Sequence, residues 1–251
     1  MLNSHYVSLI IAYALAALLW LLTNFFIKSI WNIEKKELNF SKPYLEFIYA
    51  LIAMIPILGI GQLYINHLLI PNPNNASVII DTINQFLIYS PTLILIFIRK
   101  QSFDTIWLPK SKILLRITIG LCIAICSLFA YWITRKDIGS FGEMLFRIYH
   151  SKNLAFLMQV FMEDITIALL FVRLSAWINR KWTIILVAIL FACGHIPSFV
   201  AGGATLIELS SLLIDTCIGI LILTVISKSK DVWWFFMVHY ALDMSQFVGS
   251  T

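Results

Sequence analysis

Two adjacent acids, Glu163 and Asp164, two histidines, His195 and His239, and a third acid, Asp243, each stand inside a run of apolar residues. His195 closes the stretch Phe191-Ala192-Cys193-Gly194-His195, and Asp243 closes His239-Tyr240-Ala241-Leu242-Asp243. In a helix, residues four apart share a face, so His239 and Asp243 can point at one small target. Such residues can activate a water for hydrolysis among apolar side chains. That reaction needs an activated water, a base for its proton, and donors or positive charge for the developing oxyanion. Glu163 is the candidate base, His195 helps to hold the water, and His239 with position 243 serves the oxyanion or a metal. Two chemistries stay open at Asp243. An ionised carboxylate only accepts hydrogen bonds, so a metal-free role at the oxyanion requires its protonated form. Alternatively His195, His239 and Asp243 make a three-ligand set for one divalent cation, zinc first, with a fourth position for water.

The elements that must hold these residues are membrane helices. The 251-residue chain is 60% hydrophobic and 12% charged, with a mean hydropathy of +0.89; soluble domains have about 45–50% apolar and about 25% charged residues. At about 20 residues per span, the length gives an all-α, polytopic transmembrane bundle of about eight spans and leaves no room for a sizeable soluble domain. The spans fall near 6–27, 45–70, 78–98, 113–133, 154–178, 182–200, 204–226 and 232–249, in a single membrane domain over 1–251. The stretch 135–152 is long enough to hold an interfacial helix. The first apolar run has no basic segment before it and reads as a retained span.

The charge is topology rather than a nucleic-acid surface, despite a pI near 9.0. Loops after the first, third, fifth and seventh spans hold twelve Lys and Arg; the opposite side has only Arg135, Lys136, Arg147 and Lys152. The positive-inside rule then puts both ends outside. Arg116 and Arg173, near span ends, read as snorkelling cations. Trp31, Trp107, Trp182, Trp233 and Trp234 suit an interfacial belt, and Cys122, Cys126, Cys193 and Cys217, with no metal spacing, read as core packing.

At 1.5 Å per residue from the inner boundaries, Glu163 lies roughly 24 Å deep, His195 roughly 21 Å, Asp243 roughly 18 Å and His239 roughly 12 Å. Three helices thus bring titratable groups toward one layer, at a cost of roughly 2.5–3.5 kcal/mol for a mid-span Asp. Ionisable residues at such depth face a bundle interior or a wet cavity and mark function. Asp215, on the seventh span, is a candidate partner behind these groups; Glu208, seven residues earlier, falls near the outer end.

These motifs resemble those of the CPBP group of intramembrane proteases, which includes CAAX prenyl proteases and bacteriocin-processing Abi proteins. The family signatures EExxxR, FxxxH and HxxxN or HxxxD correspond to Glu163-Asp164, Phe191 to His195, and His239 to Asp243, in order and one per helix. The run from Gly219-Ile220-Leu221 through Trp233-Trp234 to His239 is similar as well, so the resemblance covers roughly 150–250. It implies the base's role for Glu163. Two positions depart from it: Asp164 stands where the family has Glu, and Ala168 where it has Arg. Without that cation, Asp164 either pairs with another helix or stays protonated.

The resulting expectation is an intramembrane endopeptidase acting on a membrane-bound peptide or a lipidated protein precursor. The abundance of Ile, Asn and Lys suits an AT-rich bacterial genome, hence a bacterial plasma membrane. The departures at positions 164 and 168 favour the alternative, a non-catalytic regulator, scaffold or bacteriocin immunity protein of the same fold. A polar knot that merely fixes helix packing is the plain alternative for the acids, but two acids side by side are costly for that role alone, which favours function. A transporter fits less well because no inverted repeat is visible.

Overall fold

The computed structural model describes residues 4–31, 40–72, 77–135, 138–194, 196, 203 and 211–248, and the regular structure among them is helical. His195 and Glu208 lie outside the described residues. The α-helices are α1 (Ser4–Phe26), α2 (Lys28–Trp31), α3 (Pro43–Ile65), α4 (Val78–Ile98), α5 (Ile113–Thr134), α6 (Phe141–Ile148), α7 (Leu154–Trp177), α8 (Arg180–Gly194), α9 (Ser211–Ser229) and α10 (Val232–Ser245). Six of them, α1, α3, α4, α5, α7 and α9, are long and apolar enough to cross a membrane. The protein is therefore a multi-pass helical membrane protein.

Local chemistry sets the helix ends. Ser77 opens α4 by accepting from the Ile80 N–H at 3.3 Å, and Asp231 opens α10 by accepting from the Trp233 N–H at 2.9 Å. Ser140 and Glu143 form a capping box at the start of α6, whose Met144 and Ile148 are buried while Phe146 is exposed. This is the short amphipathic helix expected within 135–152. Inside α4, Pro91 has no N–H for the Leu87 carbonyl, and the Ser90 hydroxyl donates to that carbonyl at 2.8 Å instead.

Helix α7 is the hub, with α3 and α4 on one side and α8 and α10 on the other. Helix α10 has only 14 residues, about 21 Å of rise, and nearly all of them are buried. It lies so close to α5 that a Cβ at Gly120 would fall 2.3 Å from the Trp234 carbonyl oxygen, a distance only glycine permits. Above this contact Trp20, Trp31 and Trp234 interlock, with Trp20 stacked on Trp234 at 6.0 Å.

Several sequence expectations change. Arg116 and Arg173 do not snorkel: both are buried, Arg116 against Asp231 and Arg173 against Gln101 and the carbonyls of Thr105 and Leu169. Position along a span cannot distinguish a cation that reaches water from one that meets acceptors inside the bundle. Trp31, Trp107 and Trp234 belong to the core rather than to a belt, whereas Trp182 is exposed. The four cysteines are on the exposed outer surface, not in the core; among apolar neighbours, hydrophobicity does not tell the lipid face from the packed one.

Candidate active site

Consecutive residues of a helix point about 100° apart, and on α7 this separates the two acids. Glu163 turns toward α4, where its Oε1 accepts from the Tyr89 hydroxyl at 2.7 Å and from Gln159 Nε2, one turn earlier on α7, at 2.9 Å. One turn further on, Thr92 and Thr166 meet at 3.0 Å. The Thr166 hydroxyl already donates to the Met162 carbonyl, so Thr92 is the donor between the two. Asp164 turns the other way, toward α10, and its Oδ1 lies 2.9 Å from His239 Nδ1. Asp164 is 4% exposed and His239 6%. Of the two fates open to Asp164, pairing with another helix is the one observed, in the absence of the motif cation at Ala168.

That contact orients the imidazole. With Nδ1–H donating to Asp164, the neutral ring presents Nε2 as a bare acceptor. Phe235, one turn earlier on α10, stacks on the ring at 5.5 Å, and Phe191 of α8 meets it edge-on at 6.3 Å. Nε2 is 3.8 Å from Asp243 Oδ2, and Gln246 donates to Asp243 Oδ1 at 3.3 Å. The i, i+4 spacing of His239 and Asp243 thus brings both to one place.

Both border a cavity of about 170 Å³, which also touches Asp164, Asp215, Phe191 and Tyr13. Its remaining wall is largely apolar, from Ile167 of α7 and Ile218 and Ile222 of α9. The sequence-predicted residues divide accordingly. Asp164, His239 and Asp243 converge on the cavity, Asp215 joins them, Glu163 faces α4, and His195 lies outside the described residues. Sequence reasoning missed Tyr13. Its only signal was the spacing of Tyr6, Leu9 and Tyr13, which puts them on one face of α1.

The donor set can be tested for a metal. Among the described residues, no three His, Cys, Asp or Glu side chains come together as a cation site; the expected trio includes His195. The two ligands in view fit by donor type. Tetrahedral ligands each about 2.0–2.1 Å from zinc lie a little over 3 Å apart, so Nε2 and Oδ2, at 3.8 Å, would have to draw together to share one ion. A carboxylate behind the imidazole, as Asp164 is behind His239, is the usual support of a metal-bound histidine. Asp164 Oδ2 is buried and has no hydrogen-bond partner among the described residues, so among them this polar cluster is left open.

Residues 138–245 match the family described as Rce1-like, type II CAAX prenyl endopeptidase. The matched stretch takes in α6, α7, α8, α9 and α10, and with them nearly the whole site, but not α1 or α4, which bring Tyr13 and Tyr89. No curated protein and no solved structure matches the chain. The helices that carry Asp164, His239 and Asp243 thus lie in the part of this multi-pass membrane protein that is similar to type II CAAX prenyl endopeptidases of the Rce1-like family.

Proposed function

We propose that the chain is an intramembrane endopeptidase that hydrolyses a membrane-bound peptide or lipidated protein precursor in a bacterial plasma membrane. One observation carries the mechanism: His239, backed by Asp164, turns Nε2 into a largely apolar cavity beside Asp243. A water between Nε2 and Asp243 gives its proton to Nε2 as its oxygen attacks the substrate carbonyl carbon. Asp164 keeps the imidazole in the required tautomer and stabilises it once protonated, the part an acid plays behind a catalytic histidine elsewhere. The proton then passes from Nε2 to the leaving nitrogen, the C–N bond breaks, and the apolar wall keeps other waters away.

A second reading follows from the 3.8 Å gap between Nε2 and Oδ2. His239, Asp243 and His195 would hold a divalent cation, zinc by donor type, which supplies a Lewis acid and a more acidic bound water. Nε2 is then occupied and a carboxylate must take the proton, the role the family resemblance gives to Glu163. In the present geometry Glu163 is engaged by Tyr89 and Gln159 on the α4 face, which favours His239 as the base.

The experiment is cleavage of two quenched fluorescent probes in liposomes, an apolar membrane-spanning peptide and a prenyl-cysteine peptide, by purified parent, Asp164→Asn and Glu163→Gln proteins of measured metal content. Loss in Asp164→Asn with activity kept in Glu163→Gln, from metal-free protein, is the expected result. The reverse pattern with stoichiometric zinc would move the base to Glu163. Binding without cleavage of either probe would favour the regulator or immunity reading.

A further inference from the structure

The tetrahedral intermediate of this reaction carries negative charge on the former carbonyl oxygen, and among the described residues the side chains at the centre of the cavity are poor donors for it. Asp164, Asp215 and Asp243 only accept when ionised. The Nδ1–H of His239 is committed to Asp164, and the Gln246 amide to Asp243. The Asn of the motif's HxxxN form would donate; an ionised Asp243 does not.

Tyr13 supplies what is lacking. It is 5% exposed, so its ring is packed, yet its hydroxyl makes no hydrogen bond among the described residues and it lines the cavity. A buried tyrosine ordinarily finds a partner for its O–H. Tyr13 lies within electrostatic reach of Asp243, Asp164 and Asp215, with Asp243 acting most strongly. Its level also agrees: Tyr13 stands thirteen residues before the end of α1 at Phe26, and Asp164 thirteen before the end of α7 at Trp177. Each is roughly 20 Å from its helix end. Ala16 and Trp20, which continue the Leu9–Tyr13 face of α1, are buried in the core and hold that face in place.

Resting on the endopeptidase reading, we infer that Tyr13 is a catalytic residue whose hydroxyl donates a hydrogen bond to the oxyanion of the tetrahedral intermediate. It stands in for the donor that the HxxxN form of the motif carries at the position of Asp243. The donor comes from α1, outside the family-matched region, so the site is completed by a helix that the motifs do not contain. No proton leaves the phenol: the hydrogen bond strengthens as charge builds on oxygen and relaxes when the C–N bond breaks.

The test is steady-state cleavage of the two liposome probes by Tyr13→Phe, by Asp243→Asn and by the double variant, beside His239→Ala. Phe keeps the ring, so accumulation and melting should match the parent. Removing one oxyanion donor costs about 10²–10³-fold in kcat, with KM little changed. The Asn amide in the double variant should restore much of that loss. An unchanged kcat, a change confined to KM, or a loss that tracks lower melting and is not restored by Asp243→Asn would each overturn the assignment. If Tyr13→Phe is fully active while His239→Ala is dead, the assignment alone falls. If the parent is no more active than His239→Ala, the endopeptidase reading falls and takes this inference with it.

Discussion

Two buried acid–base clusters lie at different levels of the bundle, and they differ in how completely they are closed. Near the start of α5, each nitrogen of the Arg116 guanidinium is engaged: Nε donates to the Ser111 carbonyl at 2.8 Å, Nη2 to that of Ile30, and Nη1 to Asp231. Asp231 in turn accepts from the Trp233 N–H at 2.9 Å. In the Asp164–His239 cluster, Asp164 Oδ2 has no partner among the described residues, and His239 lines the cavity. An unsatisfied buried polar group costs about 1–3 kcal/mol, and a fold retains it where it has a use. The closed cluster ties α2, α5 and α10 together; the open one is poised for a visitor.

The sharpest way to break this comparison is to remove one member of each cluster. His239→Ala takes away the open cluster's proton carrier. Cleavage should fall about 10²–10⁴-fold, while melting in detergent falls less than in the second variant, because Asp164, though left without its partner, borders the cavity and can be rehydrated there. Should cleavage persist, the open cluster would be structural after all. Arg116→Met leaves Asp231 buried and unpaired, which costs about 3–5 kcal/mol. Thermal melting and accumulation should drop, with cleavage per folded molecule unchanged. A stable but inactive Arg116→Met protein would mean that the closed cluster also serves the reaction.

The open cluster was more legible in the sequence than the closed one, for a physical reason. Glu163, Asp164, His239 and Asp243 stand in the middle of apolar runs, where an ionisable side chain needs an explanation. Arg116 and Asp231 stand at span ends, where charge is ordinary and snorkelling explains it equally well. The spans α3 and α4 were legible from hydrophobicity because the bilayer demands it. Which face each residue occupies was not, since lipid and core are alike apolar; hence the misplaced cysteines, and hence no basis for sending Glu163 toward α4 and Asp164 toward α10. Tyr13 escaped notice because a tyrosine in a membrane span is unexceptional until its hydroxyl is seen at a cavity.

Position 243 offers a finer test of openness. Under the metal-free reading, Asp243→Asn adds a donor beside Tyr13, so the variant should cleave at least as fast as the parent, within a few-fold. Under the cation reading it loses a charged ligand, and both bound metal and activity should fall, with added zinc restoring part of each. Cleavage rate and metal content measured on the same preparation separate the two.

The smallest effect belongs to a charge closed by its neighbours at the aqueous boundary. In the capping box of α6, Glu143 Oε2 accepts from the Ser140 N–H at 3.2 Å while the Glu143 N–H donates to the Ser140 hydroxyl oxygen at 3.2 Å. The Ser140 backbone N–H, with help from its side chain, holds the Glu143 carboxyl below its usual range. A carboxyl lowered on folding adds stability that is fully present above its unfolded value and is lost as pH falls through its folded value. Because Glu143 is exposed, water screens the gain, and the effect belongs to the fraying of α6 rather than to melting of the bundle. Hydrogen exchange of the α6 amides, corrected for intrinsic rates, should show more protection at pH 7 than in acid below that lowered range. Glu143→Gln should flatten this pH dependence, since the amide oxygen can still accept from Ser140 but has no charge to lose. A parent and variant with the same slope would show that the box is held by geometry alone, and closure by charge would then be a property of the buried Arg116–Asp231 pair and not of the exposed box.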